Sequence, residues 1–252
     1  MLTPVGLLTA IGAHHGNAAL LLPLPLLFMF SLSTRERERR NDQALELSSA
    51  YRGTAFLLGD VVEADDAYTG AHSRDVLDLV LGVADELGVD PRSRMNAEFA
   101  ALLHDVGKIR VPPEIINKPG PLSPEERAIM KLHTIEGQVL LERVGGRLAE
   151  VGAIVRSCHE DWDGGGYPDG LVGEQIPLVA RIVSCCDAFS AMTTTRSYRK
   201  AMSMKEALAE LERCRGTQFD PQVVDALLGL VRSGKIGPGR QSELVPPRSQ
   251  AA

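Results

Sequence analysis

Three helix-start signals after residue 122 constrain the fold of this chain more than any other feature. Ser123-Pro124-Glu125-Glu126 combines a capping serine, a proline at the first helical position and the glutamate of a capping box. Ser203-Met204-Lys205-Glu206 repeats the box, and Asp220-Pro221 places a capping aspartate before a proline. Strand signals are weak throughout, so the sequence predicts an all-α fold.

The first 34 residues differ sharply in composition from the rest of the chain. No Asp, Glu, Lys or Arg occurs before Arg35, and Ala18–Leu32 is almost entirely apolar. As a helix this stretch would measure roughly 22 Å, less than the ~30 Å hydrocarbon core of a bilayer, but an extension back to about Leu7 reaches spanning length. The sequence therefore predicts a hydrophobic, membrane-spanning segment over residues 1–34.

A basic cluster follows this segment, since residues 35–40 contain four Arg and two Glu. Positive charge beside an apolar segment marks the cytoplasmic side, so we expect the segment in the inner (cytoplasmic) membrane and the catalytic domain in the cytoplasm. A cleaved signal peptide fits poorly because its basic residues precede the apolar part. Two alternatives stay open: a buried or poorly ordered helix containing Pro23 and Pro25, and the last span of a longer membrane protein.

The remaining chain divides into a linker, a domain and a tail. Apolar residues recur at helical spacing over Asn41–Ala64, which predicts a helix. This helix could join the membrane to the domain, pair with a second copy in a homodimer, or simply be the first helix of the domain. We expect a helical linker over residues 35–60, the domain over 61–233 and a polar, Gly- and Pro-rich disordered tail over 234–252.

Composition excludes several functional classes. The 27 Lys+Arg against 33 Asp+Glu give a formal charge of −6, which argues against binding a nucleic acid polymer. Aromatic residues make up only 4% of the chain, too few for a base-stacking platform. The four cysteines form no C-x-x-C pair, so neither a zinc ribbon nor a thioredoxin-type motif is present, and a reducing compartment is the natural setting.

One histidine is followed directly by an aspartate where an apolar helical segment ends. This pair, His104-Asp105, comes after Ala100-Ala101-Leu102-Leu103. A buried carboxylate is very costly unless it meets a cation or several hydrogen-bond donors. Three more histidines lie in or beside helical segments with polar neighbours: His72, His133 and His159.

Asp187 repeats the anomaly in a second apolar helix, predicted over Val179–Met192. A salt bridge to Arg181 is disfavoured because a residue six positions away lies on another part of the helix. Any one of these residues alone would fit a structural role. A metal accounts for Asp105 and Asp187 together, and imidazole with carboxylate suits zinc, iron, manganese or nickel rather than calcium.

Ordered blocks from about Val61 to Leu230 resemble the HD-GYP domain, a branch of the HD phosphohydrolase superfamily. The resemblance covers about two-thirds of the chain and implies a helical HD-domain bundle with a C-terminal HD-GYP extension. The blocks that carry it include Tyr68-Thr69-Gly70-Ala71-His72-Ser73, His104-Asp105-Val106-Gly107-Lys108, Met130-Lys131-Leu132-His133, His159-Glu160-Asp161-Trp162-Asp163-Gly164-Gly165-Gly166-Tyr167-Pro168, Asp187-Ala188-Phe189-Ser190-Ala191-Met192 and Arg196-Ser197-Tyr198-Arg199.

The resemblance implies a second-messenger phosphodiesterase that opens cyclic di-GMP to pGpG, GMP or both. It implies two divalent metals, Fe or Mn with Zn or Ni as alternatives, that activate a hydroxide for attack on phosphorus. One metal would be held by His72, His104, Asp105 and Asp187. Asp105 would bridge to the second, held also by His133, Cys158 and His159. Tyr68 stands where some members have a third-metal glutamate, so we expect two metals.

Lys108 lies one helical turn from His104 and would reach a phosphate oxygen or the leaving group, and the alternative is a solvated helix end. Three further residues resemble family positions for the substrate. Tyr167 would pack against a guanine base, and the alternative is a structural turn. Arg196 and Arg199 would grip the phosphates through their bidentate forks.

Cys158 departs from the family pattern, in which two adjacent histidines are usual. A thiolate can bind zinc or iron, so an active enzyme with altered metal affinity is expected. The alternative is a catalytically weak module that binds cyclic di-GMP or recruits a partner such as a diguanylate cyclase. A phosphohydrolase for another cyclic dinucleotide is a third hypothesis, against which Tyr167, Arg196 and Arg199 argue.

Overall fold

The computed structural model describes residues 24–65, 72–195 and 200–236. Over these residues the secondary structure is helical, with one isolated bridge between Arg215 and Phe219 and no strand. This confirms the predicted all-α class. The α-helices of the described residues are α1 (Leu24–Asp65), α2 (His72–Glu86), α3 (Pro91–Leu103), α4 (Pro113–Ile116), α5 (Pro124–Lys131), α6 (His133–Val144), α7 (Arg147–Arg156), α8 (Leu178–Thr193), α9 (Met204–Arg213) and α10 (Pro221–Arg232). Short 3-10 helices occupy Val106–Arg110 and Gly173–Gln175.

The predicted helix-start signals act as caps. The Oγ atom of Ser123 accepts the Glu126 N–H, and the Glu126 carboxylate accepts the Ser123 N–H at 2.7 Å. Ser203 and Glu206 form the same reciprocal pair at the start of α9. Asp220 accepts the Gln222 N–H at 2.8 Å and so begins α10. Each cap satisfies backbone donors that the first helical turn leaves unpaired.

The chain divides into two compact units, Met1–Gly53 and Thr54–Ala252. In the first unit α1 begins at Leu24 with Pro25 in its first turn, where a missing N–H costs no hydrogen bond. Large apolar side chains such as Phe28 and Phe30 are exposed there. Among the helices of the described residues, none is both long enough and apolar enough to cross a membrane.

Several sequence predictions fall largely outside the described residues. Most of the membrane segment expected at 1–34 and most of the tail expected at 234–252 belong to this group. The proposed domain limits at residues 61 and 233 stay predictions. The segment 112–121, whose Pro and Gly content predicts a loop, contains the short helix α4.

The core of the second unit forms where α2, α3 and α8 pack against one another. Val76, Val80 and Val83 of α2 are fully buried at helical spacing and face the equally buried Ile182 and Phe189 of α8. Each such side chain contributes about 1.5–3 kcal/mol by leaving water. This packing brings the C-terminal end of α3 and the middle of α8 together, which are the places that carry His104-Asp105 and Asp187.

The 3-10 helix Val106–Arg110 packs directly against the start of α6. A Cβ atom at Gly107 would lie 1.9 Å from the carbonyl oxygen of His133 and 2.5 Å from the backbone nitrogen of Gly137. No side chain fits at that distance, so glycine is required at position 107. The close contact fixes the segment after Asp105 onto the helix that begins with His133.

A buried ion pair joins α8 to the N-terminus of α10. The Arg181 guanidinium donates to the Asp220 carboxylate and, at 2.9 Å, to the carbonyl oxygen of Ile176. The Asp220 side chain is 1% exposed and that of Arg181 13%. The guanidinium also lies 5.5 Å from the centre of the Trp162 ring. Arg181 therefore pairs with Asp220. This agrees with the sequence analysis, which disfavoured a salt bridge between Arg181 and Asp187.

Arg181→Met is expected to lower the free energy of unfolding by about 3–5 kcal/mol, because it leaves the buried Asp220 charge without its partner. Chemical denaturation followed by circular dichroism measures the loss. Arg215→Met is the matched control, since its pair with Asp225 is exposed and should cost less than about 1 kcal/mol. Equal losses in the two variants would contradict the assigned role.

Candidate metal centre

The His104-Asp105 pair lies where α3 ends. The helix ends at Leu103, His104 keeps helical backbone angles, and Asp105 turns the chain out of the helix at φ −97° and ψ 1°. The apolar residues before the pair are buried in the core, so the pair is carried inside with them. His104 is 2% exposed, and the Asp105 side chain is 22% exposed.

Three ligand-type side chains converge here. One ligand atom from each of Asp105, His133 and His159 lies within 4.8 Å of the others. The Nε2 atom of His133 is 3.7 Å from an Asp105 oxygen, and the rings of His133 and His159 meet edge to face at 5.0 Å between centroids. These three residues come from the α3 end, the start of α6 and the segment after α7.

His104 and Asp187 adjoin this group. The Nε2 atom of His104 lies 3.6 Å from Asp105 Oδ2 and 3.8 Å from Asp187 Oδ1. The structure therefore brings the two anomalous aspartates of the sequence onto one histidine. Five of the seven predicted ligands, namely His104, Asp105, His133, His159 and Asp187, lie in one neighbourhood.

Backbone carbonyl groups set the tautomers of two of these histidines. The Nδ1 atom of His133 is 2.7 Å from the Met130 carbonyl oxygen, and that of His104 is 2.8 Å from the Ala101 carbonyl oxygen. A carbonyl only accepts, so Nδ1 carries the proton in both rings and the Nε2 lone pair faces the carboxylates. Such a carbonyl partner is the usual support of a metal-binding histidine. The Nε2 atom of His133 is buried and has no hydrogen-bond partner among the described residues.

The protonation states at the site are those of metal ligands. Burial opposes ionisation of Asp105, but the positive charge of the adjacent Lys108 ammonium opposes burial most strongly, and the pKa of this carboxyl lies well below its usual range. Burial lowers the pKa of His159 to about 4 and also lowers the pKa of His133. At neutral pH one ionised carboxylate thus faces neutral imidazoles, which is the donor set that binds a divalent transition metal.

Lys108 is turned inward onto the carboxylate. Its Nζ atom lies 2.7 Å from Asp105 Oδ2, and its side chain is 17% exposed. The predicted alternative, a solvated lysine at a helix end, is therefore wrong. The cation stands beside the ligand cluster, on the 3-10 helix that Gly107 packs against α6.

Cys158 stands apart from the three-residue group. Its side chain is buried, and the thiol donates to the Ile154 carbonyl oxygen at 3.3 Å. Burial, with the nearby charges of Asp187 and Asp105, raises the pKa of this thiol. The role of Cys158 as a metal ligand stays a prediction.

Tyr167 lies against the site within the Gly-rich loop, which is the segment 160–171 and contains Gly164, Gly165 and Gly166. Its ring stacks on the His159 imidazole, with 5.2 Å between centroids and 10° between planes. The Nζ atom of Lys131 lies 4.6 Å from the centre of the same ring. Burial and the Asp105 charge raise the pKa of Tyr167, so its hydroxyl stays protonated. The Tyr167 ring therefore lies on one of the predicted ligands, and its contact with a guanine base stays a prediction.

Other predicted site residues cannot be placed by their side chains. His72 is the first residue of α2, but its side chain lies outside those described. Tyr68, Arg196 and Arg199 also lie outside the described residues. Two contributors had no predicted role: Lys131, above Tyr167, and Glu160, whose carboxylate is buried beneath the loop. The only sequence signal for Glu160 was its place between His159 and the glycines.

The structure is a helical domain in which a His-Asp pair lies beside further histidines that could hold a metal ion. The chain belongs to the HD domain family, because the model of that family matches residues 57–223. The cyclic di-GMP phosphodiesterase response regulator RpfG of Xanthomonas campestris is 42% identical over 73% of this chain and 49% of the relative. The 3'3'-cGAMP-specific phosphodiesterase 2 of Vibrio cholerae is 35% identical over 73% of this chain and 35% of the relative.

A solved structure supports the same family. The HDG"Y"P protein Bd1817 from Bdellovibrio bacteriovorus superposes with a TM-score of 0.52 at 26% identity, over 64% of this chain and 51% of that chain. Together these matches confirm the resemblance to HD-GYP proteins. The chain spans about half the length of the first curated relatives it matches.

Proposed function

We propose that this protein is a metal-dependent phosphodiesterase that hydrolyses cyclic di-GMP to pGpG, GMP or both. The observation that carries the proposal is the group of Asp105, His133 and His159. The Asp105 carboxylate is ionised and the two imidazoles are neutral, which are the protonation states that metal binding requires. The relative named a cyclic di-GMP phosphodiesterase, at 42% identity, supports the substrate. We further propose two metals, Fe or Mn.

The protein residues have distinct parts in this reaction. His104, Asp105, His133, His159 and Asp187 would hold the metals, with His72 and Cys158 as the predicted completing ligands. When bound, the metal ions supply Lewis-acid chemistry at the phosphodiester and activate water. Asp105 stays ionised throughout, because the Lys108 ammonium stabilises its negative charge.

Lys108 and Tyr167 act on the substrate in this proposal. The Lys108 ammonium, held on Asp105 Oδ2, adds positive charge where phosphate oxygens gather and carries a proton for the departing ribose oxygen. Tyr167 offers a ring at the edge of the ligand cluster on which a guanine base can stack. Arg196 and Arg199 remain the proposed phosphate grips.

A competition assay tests the substrate. The full chain, loaded with Mn or Fe, is given equal amounts of cyclic di-GMP and 3'3'-cGAMP, and products are separated by chromatography. Preferential loss of cyclic di-GMP is expected. Preferential loss of cGAMP would instead favour the second candidate, which rests on the Vibrio cholerae relative at 35% identity. Loss of neither would overturn the catalytic proposal and favour a module that only binds the nucleotide.

Cys158→His is expected to raise the affinity for Mn or Fe about 10- to 100-fold, since imidazole replaces a buried thiol whose pKa is raised. Titration of the metal-free protein, followed by calorimetry, measures the change. Cys185→Ser is the control, because Cys185 is a buried residue of α8 outside the ligand group. Unchanged metal affinity in Cys158→His would place position 158 outside the metal site.

We also propose that the segment 1–34 attaches the protein to the cytoplasmic membrane and leaves the domain in the cytoplasm. The exposed Leu27, Phe28, Met29 and Phe30 and the arginines after Thr34 support it. Flotation of the full chain with anionic vesicles, compared with a chain shortened to begin at Arg35, tests the attachment. Equal flotation of the two chains would contradict attachment through residues 1–34. A homodimer or a diguanylate cyclase partner remains a proposal from the sequence.

A further inference from the structure

Glu160 is a buried acid directly after a ligand histidine. It is 2% exposed, and a buried carboxylate must be matched by donors. Both of its oxygens are used in this way. The Asp169 N–H donates to Oε1 at 2.7 Å, and the Leu171 N–H donates to Oε2 at 3.0 Å. The carboxylate therefore ties the far end of the Gly-rich loop back to the residue where the loop starts.

Other contacts close the same loop around this carboxylate. The Tyr167 N–H donates to the His159 carbonyl oxygen at 3.0 Å. A Cβ atom at Gly166 would lie 2.2 Å from the Asp161 nitrogen and 2.5 Å from the Glu160 Cα, so the middle of the loop touches its start through their backbones. Arg156 adds two bonds of 2.7 Å to the Asp169 carboxylate from outside.

The closed loop places the Tyr167 ring against His159. Its backbone nitrogen is bonded to His159, and its ring is parallel to the imidazole of that same residue. Glu160 accepts hydrogen bonds from two of the amides that follow Tyr167 in the loop, those of Asp169 and Leu171. We propose that Glu160 is the positioning residue that holds Tyr167 on the His159 ring, and so sets the surface that a nucleobase of the substrate meets.

Glu160→Gln isolates this role because it preserves size and shape. One carboxylate oxygen becomes an NH₂ group, which then points a donor at the N–H of Asp169 or Leu171. A buried donor facing a donor loses one hydrogen bond and leaves both groups unsatisfied. Loop amides should then exchange with solvent faster, while the rest of the domain keeps its packing.

Hydrogen exchange measured by mass spectrometry tests the placement without any activity. In full-length Glu160→Gln, the amides of Tyr167, Asp169 and Leu171 are expected to exchange about tenfold faster or more. Glu174→Gln, the same change at an exposed site after the loop, should leave them unchanged. Unchanged exchange in Glu160→Gln would overturn the proposal. Faster exchange that spreads over α2 and α8 would overturn it as well, because it would show a loss of global stability.

Kinetics test the path through Tyr167, and this arm rests on the proposed function. Glu160→Gln is expected to raise KM about tenfold with kcat changed less than about threefold. In a Tyr167→Leu background the same change should alter KM less than about twofold, since the residue it positions is gone. If Glu160→Gln raised KM by the same factor in the Tyr167→Leu background as in the wild type, the proposal would be overturned. If the wild-type chain hydrolyses no cyclic dinucleotide but the exchange result holds, the proposed function fails and the positioning role stands.

Discussion

Asp105→Ala is expected to abolish cyclic di-GMP hydrolysis, with kcat/KM lower by at least about a thousandfold. The side chain is the meeting point of the site: His104 and His133 face its two oxygens at 3.6 and 3.7 Å, and Lys108 is bonded to it at 2.7 Å. Its removal takes away the carboxylate that both His104 and His133 face. Turnover at matched metal loading measures the effect.

The control for this variant is Asp225→Ala, an exposed aspartate on α10 whose partner is Arg215. Its turnover should stay within about twofold of the wild type, as for a surface change away from the site. Metal affinity, titrated separately on metal-free samples of both variants, should fall only in Asp105→Ala. Turnover in Asp105→Ala comparable to that of the control would contradict the assignment of Asp105 as a metal ligand.

Gly107→Ala is expected to lower the free energy of unfolding by about 3 kcal/mol or more, because its methyl group would meet backbone atoms that cannot move aside. The added Cβ would lie 1.9 Å from the His133 carbonyl oxygen. Relief requires the 3-10 helix to separate from α6, which displaces Lys108 from the ligand cluster. Activity should therefore fall even below the melting temperature.

Gly229→Ala is the matched control for this substitution. Gly229 lies in α10, and a Cβ atom built there meets nothing within 4 Å. The same change should stabilise the protein by about 0.5–1 kcal/mol, because alanine loses less backbone entropy than glycine in a helix. Thermal and denaturant unfolding of both variants measure the difference. A Gly107→Ala protein as stable and as active as the wild type would contradict the close contact.

The local elements of this fold could be predicted because their signals are local. Ser123, Ser203 and Asp220 begin helices through hydrogen bonds that span only two or three residues. The partial burial of Asp105 and Asp187 could be predicted from the apolar helical segments that carry them. Their placement on one histidine did not follow from spacing, because it depends on how α3 packs against α8.

Other features could not be predicted because they join segments that are distant in the sequence, or because they depend on which backbone group a side chain faces. Arg181 and Asp220 lie 39 residues apart, and no periodicity links them. The carbonyls of Ala101 and Met130 fix the tautomers of His104 and His133, but every residue has a carbonyl and only the fold selects these two. Lys108 was placed near the phosphates, and its bond to Asp105 depends on a 3-10 turn that the sequence does not mark.

The central claim is that the Asp105 cluster holds catalytic metals. Its most direct test is to purify the full chain without oxygen and to measure bound metal and cyclic di-GMP hydrolysis on the same sample. About two Fe or Mn ions per chain, with turnover that chelation removes and metal restores, are predicted. Hydrolysis that persists in metal-free protein, or a fully metal-loaded chain that hydrolyses no cyclic dinucleotide, would contradict the account.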